Sequence, residues 1–539
     1  MMDLMSAFKE TALLRAERAR PGVRRIAAAL SAALPAVALL GAPVVALLGA
    51  PVARAAGGDR PSTLTAALAE AYSNNPTLQQ QRATLRATDE NVPAALAGWR
   101  PTITIQGSAG RVDETSESAF YATSITGAPV LTRNSLTAAR NEASGQITVN
   151  QSIFDGGLTI AKVHQAKNDV YAARAQLLAT EQDVFGKVVT AYVTVITDRH
   201  LLDLDRSNEG VLAQQLRAVK DQFKVGEITE TSVAQAEASL AGAQEQIAVA
   251  KGNLHIAEEN FRQLVGAYPA KTLVPPQPLA LGHQGKAALA RAALANNPAV
   301  VAALFTMASK KDGVDAAVAG LGPQLSLSAS AFDQSNPGGP HSRATGGQIL
   351  ANLTIPLYQG GKEYAAIRQA RDNVQYAYAG VIDAQRAAVQ QATQAFEGLQ
   401  AARAAIVSSR AQIRADAIAL DGTERQEIVG TRDTLDVLNA QQLLFNAQTT
   451  QIQNIATEVN ESYAIAAAVG RLTASDLALP VTQYDDLKYY DTVKGALFGN
   501  GNEAFRNAGI TPDGTLLARP KTTPSGPSEL HIKPGGTNP

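Results

Sequence analysis

The side chains that most often carry catalysis or bind metals are few in this sequence and lie far apart. There is no cysteine, which excludes disulfides, thiolate metal sites and cysteine nucleophiles together. The chain has neither a phosphate-binding Gly-Lys-Ser/Thr loop nor a Gly-x-Ser-x-Gly nucleophile elbow. We therefore expect no enzyme activity, no metal and no cofactor. The six histidines are scattered without metal-ligand spacing, at His164, His200, His255, His283, His341 and His531.

The charges nearly balance, with 47 lysines and arginines against 48 aspartates and glutamates. A net charge of -1 provides no basic surface for nucleic acid, so we expect no such partner. Aromatic residues make up only 5% of the chain, and Trp99 is the single tryptophan. This composition suits long helices packed through alanine and leucine better than a large globular core.

The N-terminus has the layout of a targeting segment. Five arginines precede an apolar run over residues 26–52, and Ala53-Arg54-Ala55 supplies the small residues that a signal peptidase requires. We interpret residues 1–55 as a secretory signal cleaved near residue 55. A retained membrane anchor is the alternative, and three prolines in the run argue against it. No later apolar run reaches the ~18–20 residues of a spanning helix.

The elements that follow occur twice. Gly156-Gly157 recurs as Gly360-Gly361, an offset of 204 residues, and in both places a strand-like segment gives way to a long helical one. Asn-Asn-Pro also recurs, ending at Pro76 and Pro298, and can end or kink a helix. That offset is 222, so the first copy is 18 residues longer. We interpret the chain as an internal duplication of one large unit.

Four segments alternate strictly between apolar and polar residues, which is typical of strands with two different faces. Their lengths suit membrane strands of about 9–11 residues, although two soluble hairpins would show the same pattern. The polar stretch 111–143 is interpreted as a long loop that holds the extra residues, and 333–345 as the second loop. The strands are predicted at about 101–110, 145–154, 323–332 and 347–358.

A helix without proline is predicted after each Gly-Gly step, from about 158 to 224 and from about 362 to 428. About 66 residues span about 100 Å. Apolar residues recur every seven positions, as at Leu399 and Ile406, which predicts coiled-coil packing. A Val-Gly pair ends each helix, with glycine as a left-handed cap. Return helices follow at about 229–266 and 431–472, and their candidate N-caps are Thr229 and Thr431.

These elements predict the organisation of the whole chain. A proline-rich linker separates the two copies, and a tail rich in proline, glycine and threonine ends the chain. The predicted parts are a signal at 1–55, a first repeat at 56–270 with its helical hairpin at 157–266, a linker at 271–285, a second repeat at 286–475 with its hairpin at 361–472, an equatorial segment at 476–509 and a disordered tail at 510–539.

Four strands cannot close a barrel, and open edges cannot face lipid because unpaired backbone groups there cost several kcal/mol each. Bacterial barrels begin at 8 strands, so membrane strands from this chain would have to be pooled among copies. Long helices continuing such a barrel would form a conduit rather than a catalyst.

Residues 429–440 read Val-Gly-Thr-Arg-Asp-Thr-Leu-Asp-Val-Leu-Asn-Ala. With the duplicated junctions, this stretch resembles the TolC family of outer-membrane efflux and type I secretion channels, over about 62–475. The resemblance implies an α+β membrane protein that is a homotrimer. A 12-stranded antiparallel β-barrel, four strands per chain, would lie in outer-membrane lipid, continued through the periplasm by an α-helical coiled-coil barrel.

The resemblance also implies partners and a gate. The helical tips would dock on a periplasmic adaptor (membrane fusion) protein that serves an inner-membrane ABC or proton-driven transporter. A gate at the tips would use Arg432 and Asp436, for which a solvated side chain and helix capping are the respective ordinary alternatives. Asp433, in the first helical turn, is interpreted as a capping residue. The other family gate positions hold Asn439, Thr231, Ser232 and Glu427, and the docking positions are Val225, Gly226, Val429, Gly430 and Thr431.

Three functions of different classes follow. An export duct explains the duplicated junctions, the strands and the long helices, and the resemblance favours a general or type I secretion channel. A stand-alone diffusion porin would not need helices of about 100 Å. A periplasmic coiled-coil scaffold would make the strands soluble hairpins and would not require detergent for extraction.

Overall fold

The computed structural model describes residues 60–123, 125, 127–280, 285–339 and 341–499. The predicted signal at 1–55 and tail at 510–539 lie outside these residues. The elements, in chain order, are α1 Leu64–Asn74, α2 Pro76–Asp89, α3 Asn91–Leu96, a 3-10 turn Ala97–Trp99, β1 Thr102–Thr123, β2 Pro129–Asp155, α4 Leu158–Lys224, α5 Glu230–Val265, α6 Lys286–Asn296, α7 Pro298–Ala319, β3 Gln324–Ser335, β4 Arg343–Thr354, α8 Lys362–Ile428, α9 Thr434–Ala468 and α10 Lys488–Val493.

The two long helices begin and end where the sequence predicts. Helices α4 and α8 each contain 67 residues, about 100 Å at 1.5 Å per residue. Each packs against its return helix, α4 against α5 and α8 against α9. The predicted seam of α8 is buried at Leu399 and Ile406 and only partly buried at Ile413 and Leu420. The hairpin is therefore packed less deeply towards its tip.

The strands form one antiparallel sheet in the order β1-β2-β3-β4. Strand β1 pairs with β2 without interruption from Thr102 opposite Asn150 to Thr123 opposite Pro129. The predicted loop at 111–143 is therefore wrong, because residues 111–123 and 129–143 are strand. Serine, threonine and asparagine there pair across the ladder, an interaction that depends on the opposite strand rather than on local sequence.

The second strand pair differs from its prediction at both ends. Strand β4 begins at Arg343, earlier than expected, and ends at Thr354 rather than near 358. Pro356 lies just beyond this end and cannot donate to a ladder, which accounts for the early stop. The turn between β3 and β4 is correspondingly shorter than the predicted 333–345 loop.

The short helices pack where the hairpins end. Residues of α1, including Leu68, form a core with Phe185 and Tyr192 of α4 and with Phe261 of α5. The Tyr192 hydroxyl lies 2.8 Å from the carbonyl oxygen of Ser62 and 2.9 Å from that of Val274. Burial raises the pKa of Tyr192 to about 12. One tyrosine thus holds the linker and the start of α1 against the long helix.

A search of the described residues for membrane-spanning helices finds no single helix that is both long and apolar enough. The pair α6 and α7, bent by 40° at Asn297, passes the same test together by length and composition.

Candidate functional site

The turn after α4 forms the first helical tip. Gly226 has φ +82°, and its N–H donates to the Phe223 carbonyl over 3.0 Å. The N–H of Glu227 donates to the Gln222 carbonyl, also over 3.0 Å. This pair of bonds is a Schellman motif, which requires a left-handed residue and so favours glycine.

The turn after α8 repeats that geometry at the second tip. Gly430 has φ +75° and donates to the Glu427 carbonyl over 2.8 Å. Thr431 donates its N–H to the Gln426 carbonyl over 2.9 Å. The predicted left-handed glycine caps are confirmed at both tips.

The return helices begin differently in the two copies. Thr229 is the N-cap of α5 and accepts from the N–H of Ser232 over 3.4 Å, as predicted. The predicted N-cap Thr431 is wrong, because Asp433 caps α9 and accepts from the N–H of Asp436 over 3.1 Å. Thr431 is still inside the preceding Schellman turn, where its hydroxyl donates to the Gln426 carbonyl over 3.0 Å.

Arg432 and Asp436, the two charges expected at the gate, form an ion pair in the structure. The Arg432 Nη1 atom lies 3.3 Å from Asp436 Oδ2, and the side chains are 54% and 38% exposed. An exposed pair of this kind contributes about 0–1 kcal/mol to folding. Asp436 also lies in the first turn of α9, where the helix dipole favours a carboxylate. Folding therefore depends little on this pair.

The other predicted gate residues occupy separate places near the tips. Glu427 accepts from the Nε2 atom of Gln215 on α4, 3.4 Å from each carboxylate oxygen, and so joins the second hairpin to the first. Ser232 contributes its hydroxyl, 3.3 Å from that of Thr229. Within the described part of the chain, the side chains of Thr231 and Asn439 make no hydrogen bond. The sequence contained no signal for the Gln215 contact, because the two residues are 212 positions apart.

An apolar contact reinforces the link between the hairpins. Leu438 of α9 packs among Leu212 and Val219 of α4 and Ala236 of α5. The hairpins are thus joined just above the tips by both apolar and polar contacts.

The tips themselves expose apolar side chains. Val225 is 71% exposed, Ile428 82% and Val429 70%. Val225 and Val429 occupy the same Val-Gly turn in the two copies.

The strand-to-helix junctions contain the duplicated Gly-Gly steps. Gly156 and Gly157 have φ +70° and +91°, and Gly360 and Gly361 have φ +67° and +84°. In the first copy, Asp155 accepts from the N–H of Gly157 over 3.1 Å. Asp155 is a site residue not predicted from the sequence, although an aspartate two residues before a turn glycine is a known turn signal.

The described residues contain no group of three or more histidines, aspartates and glutamates placed to bind a metal ion.

The duplicated geometry of these hairpins is matched in known proteins. The sequence model of a family described as "Outer membrane efflux protein" matches residues 67–267 and, separately, 289–471. The chain belongs to the outer membrane efflux protein family. The two matched segments confirm the internal duplication, since each one covers one helix-strand-strand-hairpin unit.

Individual relatives agree with this assignment. The outer membrane efflux protein BepC of Brucella suis biovar 1 is 34% identical over 440 residues, which cover 81% of this chain and 91% of that protein. The outer membrane protein TolC of Escherichia coli K12 is 26% identical over 361 residues, covering 62% and 71%. The crystal structure of the outer membrane protein VceC from Vibrio cholerae has a TM-score of 0.63 at 20% identity, covering 76% and 96%.

Membership of the family fixes the function and the location. The protein is an outer-membrane channel that extends into the periplasm and is the exit duct of an efflux or secretion system. Members of this family are transport channels rather than enzymes.

Proposed function

We propose that three copies of this chain pool their sheets into one 12-stranded barrel in the outer membrane. The observation that carries the proposal is the four-stranded sheet, in which the outer sides of the edge strands β1 and β4 pair with no other strand of the described residues. Unpaired backbone groups in lipid cost several kcal/mol each, so the edges must be joined to other copies. Exposed side chains at alternate positions fit contact with lipid, as at Ile103 (68%), Ile105 (77%) and Ile349 (73%).

The hairpins α4–α5 and α8–α9 continue this barrel into the periplasm. Their tips are closed at rest by charges that include the Arg432–Asp436 pair. Asn439 stands one turn further along α9 and is neutral, which leaves fewer carboxylates around the pore and so a weaker attraction for polyvalent cations. Exchange of the Arg432–Asp436 pair for contacts with a partner opens the duct.

The exposed tips are the docking surface for a periplasmic adaptor protein. Val225 and Val429 lie beside the left-handed glycines Gly226 and Gly430, so both hairpins present the same apolar turn. The adaptor joins the duct to an inner-membrane ABC or proton-driven transporter, which supplies the energy. A separate source of energy fits a sequence that has no nucleotide-binding loop.

Two measurements on the detergent-extracted protein and on cells test the proposal. Native mass spectrometry should give a trimer, and a monomer would contradict the pooled barrel. In cells that lack the native gene, the wild-type protein should restore export of a fluorescent efflux dye. Ile428→Asp with Val429→Asp should abolish export and leave the trimer intact, whereas full export would contradict docking through the tips.

A matched substitution serves as the control for this test. Leu443→Asp changes an exposed apolar residue of α9 that lies away from the turn. It should leave dye export unchanged if docking depends on the tips. Equal loss of export in both variants would attribute the effect to general damage and contradict the assignment.

A further inference from the structure

The first strand pair extends far beyond the rest of the sheet. Pairing of β2 with β3 ends at Ala143 opposite Ser335, but β1 and β2 continue to pair from Arg111 to Thr123. We call the paired segments 111–123 and 129–141 the distal hairpin. Its 13 paired positions per strand extend about 40 Å at about 3.3 Å per residue. This hairpin contains the 18 residues by which the first copy is longer than the second.

The base of the distal hairpin is fixed. Arg140 is only 10% exposed, and its Nη1 atom lies 2.8 Å from Glu114 Oε2 on the paired strand. Its Nη2 atom donates to the Pro337 carbonyl over 3.2 Å, and Asn336 donates to the Asn141 carbonyl over 2.7 Å. The turn between β3 and β4 thus supports the hairpin, which therefore leaves the sheet in a defined direction.

The far end of the distal hairpin has a different composition. Residues 118–132 contain no charged side chain. Four large apolar or aromatic side chains are exposed there, and Tyr121 lies directly opposite Leu131 in the ladder. They are Phe120 (53%), Tyr121 (74%), Val130 (52%) and Leu131 (47%). A two-stranded ribbon is marginally stable alone in water, so an exposed apolar end of this kind requires a covering surface.

We propose that the covering surface is the same end of the other two copies, so that three distal hairpins meet on the channel axis and close its outer mouth. This inference rests on the proposed trimer. Twelve strands about 4.8 Å apart and tilted by about 40° enclose a barrel of roughly 12 Å radius. A hairpin of about 40 Å is long enough to reach from the rim to the axis.

Lipid is a poorer occupant than a second copy. Asp113, Glu114 and Glu117 lie between the uncharged end and the strands that face the membrane. These carboxylates keep the hairpin in water beyond the headgroups, because burying them in hydrocarbon is unfavourable. The uncharged end therefore lies above the membrane, where the nearest apolar surface is its own counterpart on a neighbouring copy.

Cross-linking tests this arrangement cleanly, since the chain has no cysteine. In Tyr121→Cys, oxidation of the full-length trimer should give a covalent dimer on a non-reducing gel. Glu117→Cys, four residues nearer the base on the same face, should remain monomeric on that gel. A trimer by native mass spectrometry without a dimer band from Tyr121→Cys would overturn the inference and leave the proposed trimer standing. Loss of the trimer would instead contradict the proposed function.

Conductance gives a second readout in a channel whose inner gate is already opened by Arg432→Ser with Asp436→Asn. Adding Tyr121→Ser and Leu131→Ser should abolish long closures. The control adds Thr115→Ala and Thr137→Ala, a cross-strand pair 3.0 Å apart in the half of the hairpin nearer its base, and should keep the closures. Closures that persist without Tyr121 and Leu131 would overturn the inference. A fluorescent dye attached at Tyr121→Cys and found buried in vesicle lipid would overturn it as well.

Discussion

The side-chain amide of Asn75 donates a hydrogen bond to the backbone carbonyl of Leu264 over 2.8 Å. In the second copy, Asn297 makes the same bond to Ala468 over 3.1 Å. Each asparagine also N-caps the helix that begins at the following proline. The second asparagine of each Asn-Asn-Pro sequence therefore joins the start of α2 or α7 to the C-terminal end of a return helix.

Replacing either of these asparagines should weaken the protein. Asn75→Ala or Asn297→Ala removes an N-cap, worth about 0.5–2 kcal/mol, and leaves a buried carbonyl unpaired, which costs about 1–3 kcal/mol. The midpoint of urea unfolding should fall in both variants. The neighbouring exposed residues provide the controls, and Asn74→Ala and Asn296→Ala should change the midpoint little. If the two asparagines of one Asn-Asn-Pro sequence had equal effects on the midpoint, the role assigned to the second asparagine would be refuted.

The two Gly-Gly junctions should respond unequally to the same substitution. A Cβ atom at Gly156 would lie 2.5 Å from the Ala319 carbonyl oxygen, whereas one at Gly360 would meet nothing within 4 Å. Both glycines have positive φ, so alanine costs about 1–2 kcal/mol at either place. Gly156→Ala adds a backbone clash and should lower the thermal midpoint of the trimer much further than Gly360→Ala. Similar thermal midpoints for Gly156→Ala and Gly360→Ala would contradict this, because they would show that the backbone around Gly156 relaxes to accommodate the added Cβ atom.

The contact between Gln215 and Glu427 should restrain the second hairpin near its tip. Gln215→Ala removes the link between α4 and α8, so we expect a higher open probability in a planar bilayer with no change in thermal stability. Gln214→Ala, an exposed neighbour on α4, should behave as wild type. An unchanged open probability in Gln215→Ala would remove this contact from the gating mechanism.

A buried carboxylate lies far from the tips. Asp89, the last residue of α2, is 1% exposed, and neither of its carboxylate oxygens has a hydrogen-bond partner among the described residues. Burial raises the pKa of Asp89 to about 7, while Arg174 lowers it and Asp486 and Glu90 raise it further. Arg86 also lies close enough to lower it.

This carboxylate should make stability depend on pH. The folded protein holds the Asp89 proton more tightly than the unfolded chain, so the stability that Asp89 contributes is fully present below about pH 4 and is lost as the pH rises to about 7. The loss is at most about 4 kcal/mol, and solvent screening reduces it. Asp89→Asn should make the thermal midpoint depend less on pH across this range. Asp183 forms an exposed ion pair with Lys187, so Asp183→Asn should leave the pH dependence of the thermal midpoint as in wild type. Parallel curves for wild type and Asp89→Asn would exclude Asp89 as the cause.

Local signals explain why the helix bounds could be predicted from sequence. Gly157 and Gly361 adopt positive φ before the long helices, and Gly226 and Gly430 do so after them. A glycine at such a position marks a helix boundary, because other residues rarely adopt a positive φ. The matching offsets then indicated the duplication without any knowledge of contacts.

The missed features depend on residues distant in sequence. The distal hairpin looks like a polar loop until Thr115 is placed opposite Thr137 and Glu114 beside Arg140. The choice of Asp433 over Thr431 as an N-cap depends on how far the preceding turn extends. At the proposed gate positions, Arg432 pairs with Asp436, as residues four apart on one chain can, whereas the contact of Glu427 with Gln215 depends on the packing of α8 against α4.

The most direct test of a closable duct is single-channel conductance of the detergent-extracted protein in a planar bilayer. Wild type should form discrete small channels, and Arg432→Ser with Asp436→Asn should make them larger or longer-lived. Asp421 and Arg425 form a matched i,i+4 pair on α8, 3.0 Å apart, and Arg425→Ser with Asp421→Asn should leave the channels as in wild type. Channels identical in all three proteins would contradict the gate, and the absence of channels from a protein extracted without detergent would contradict the duct itself.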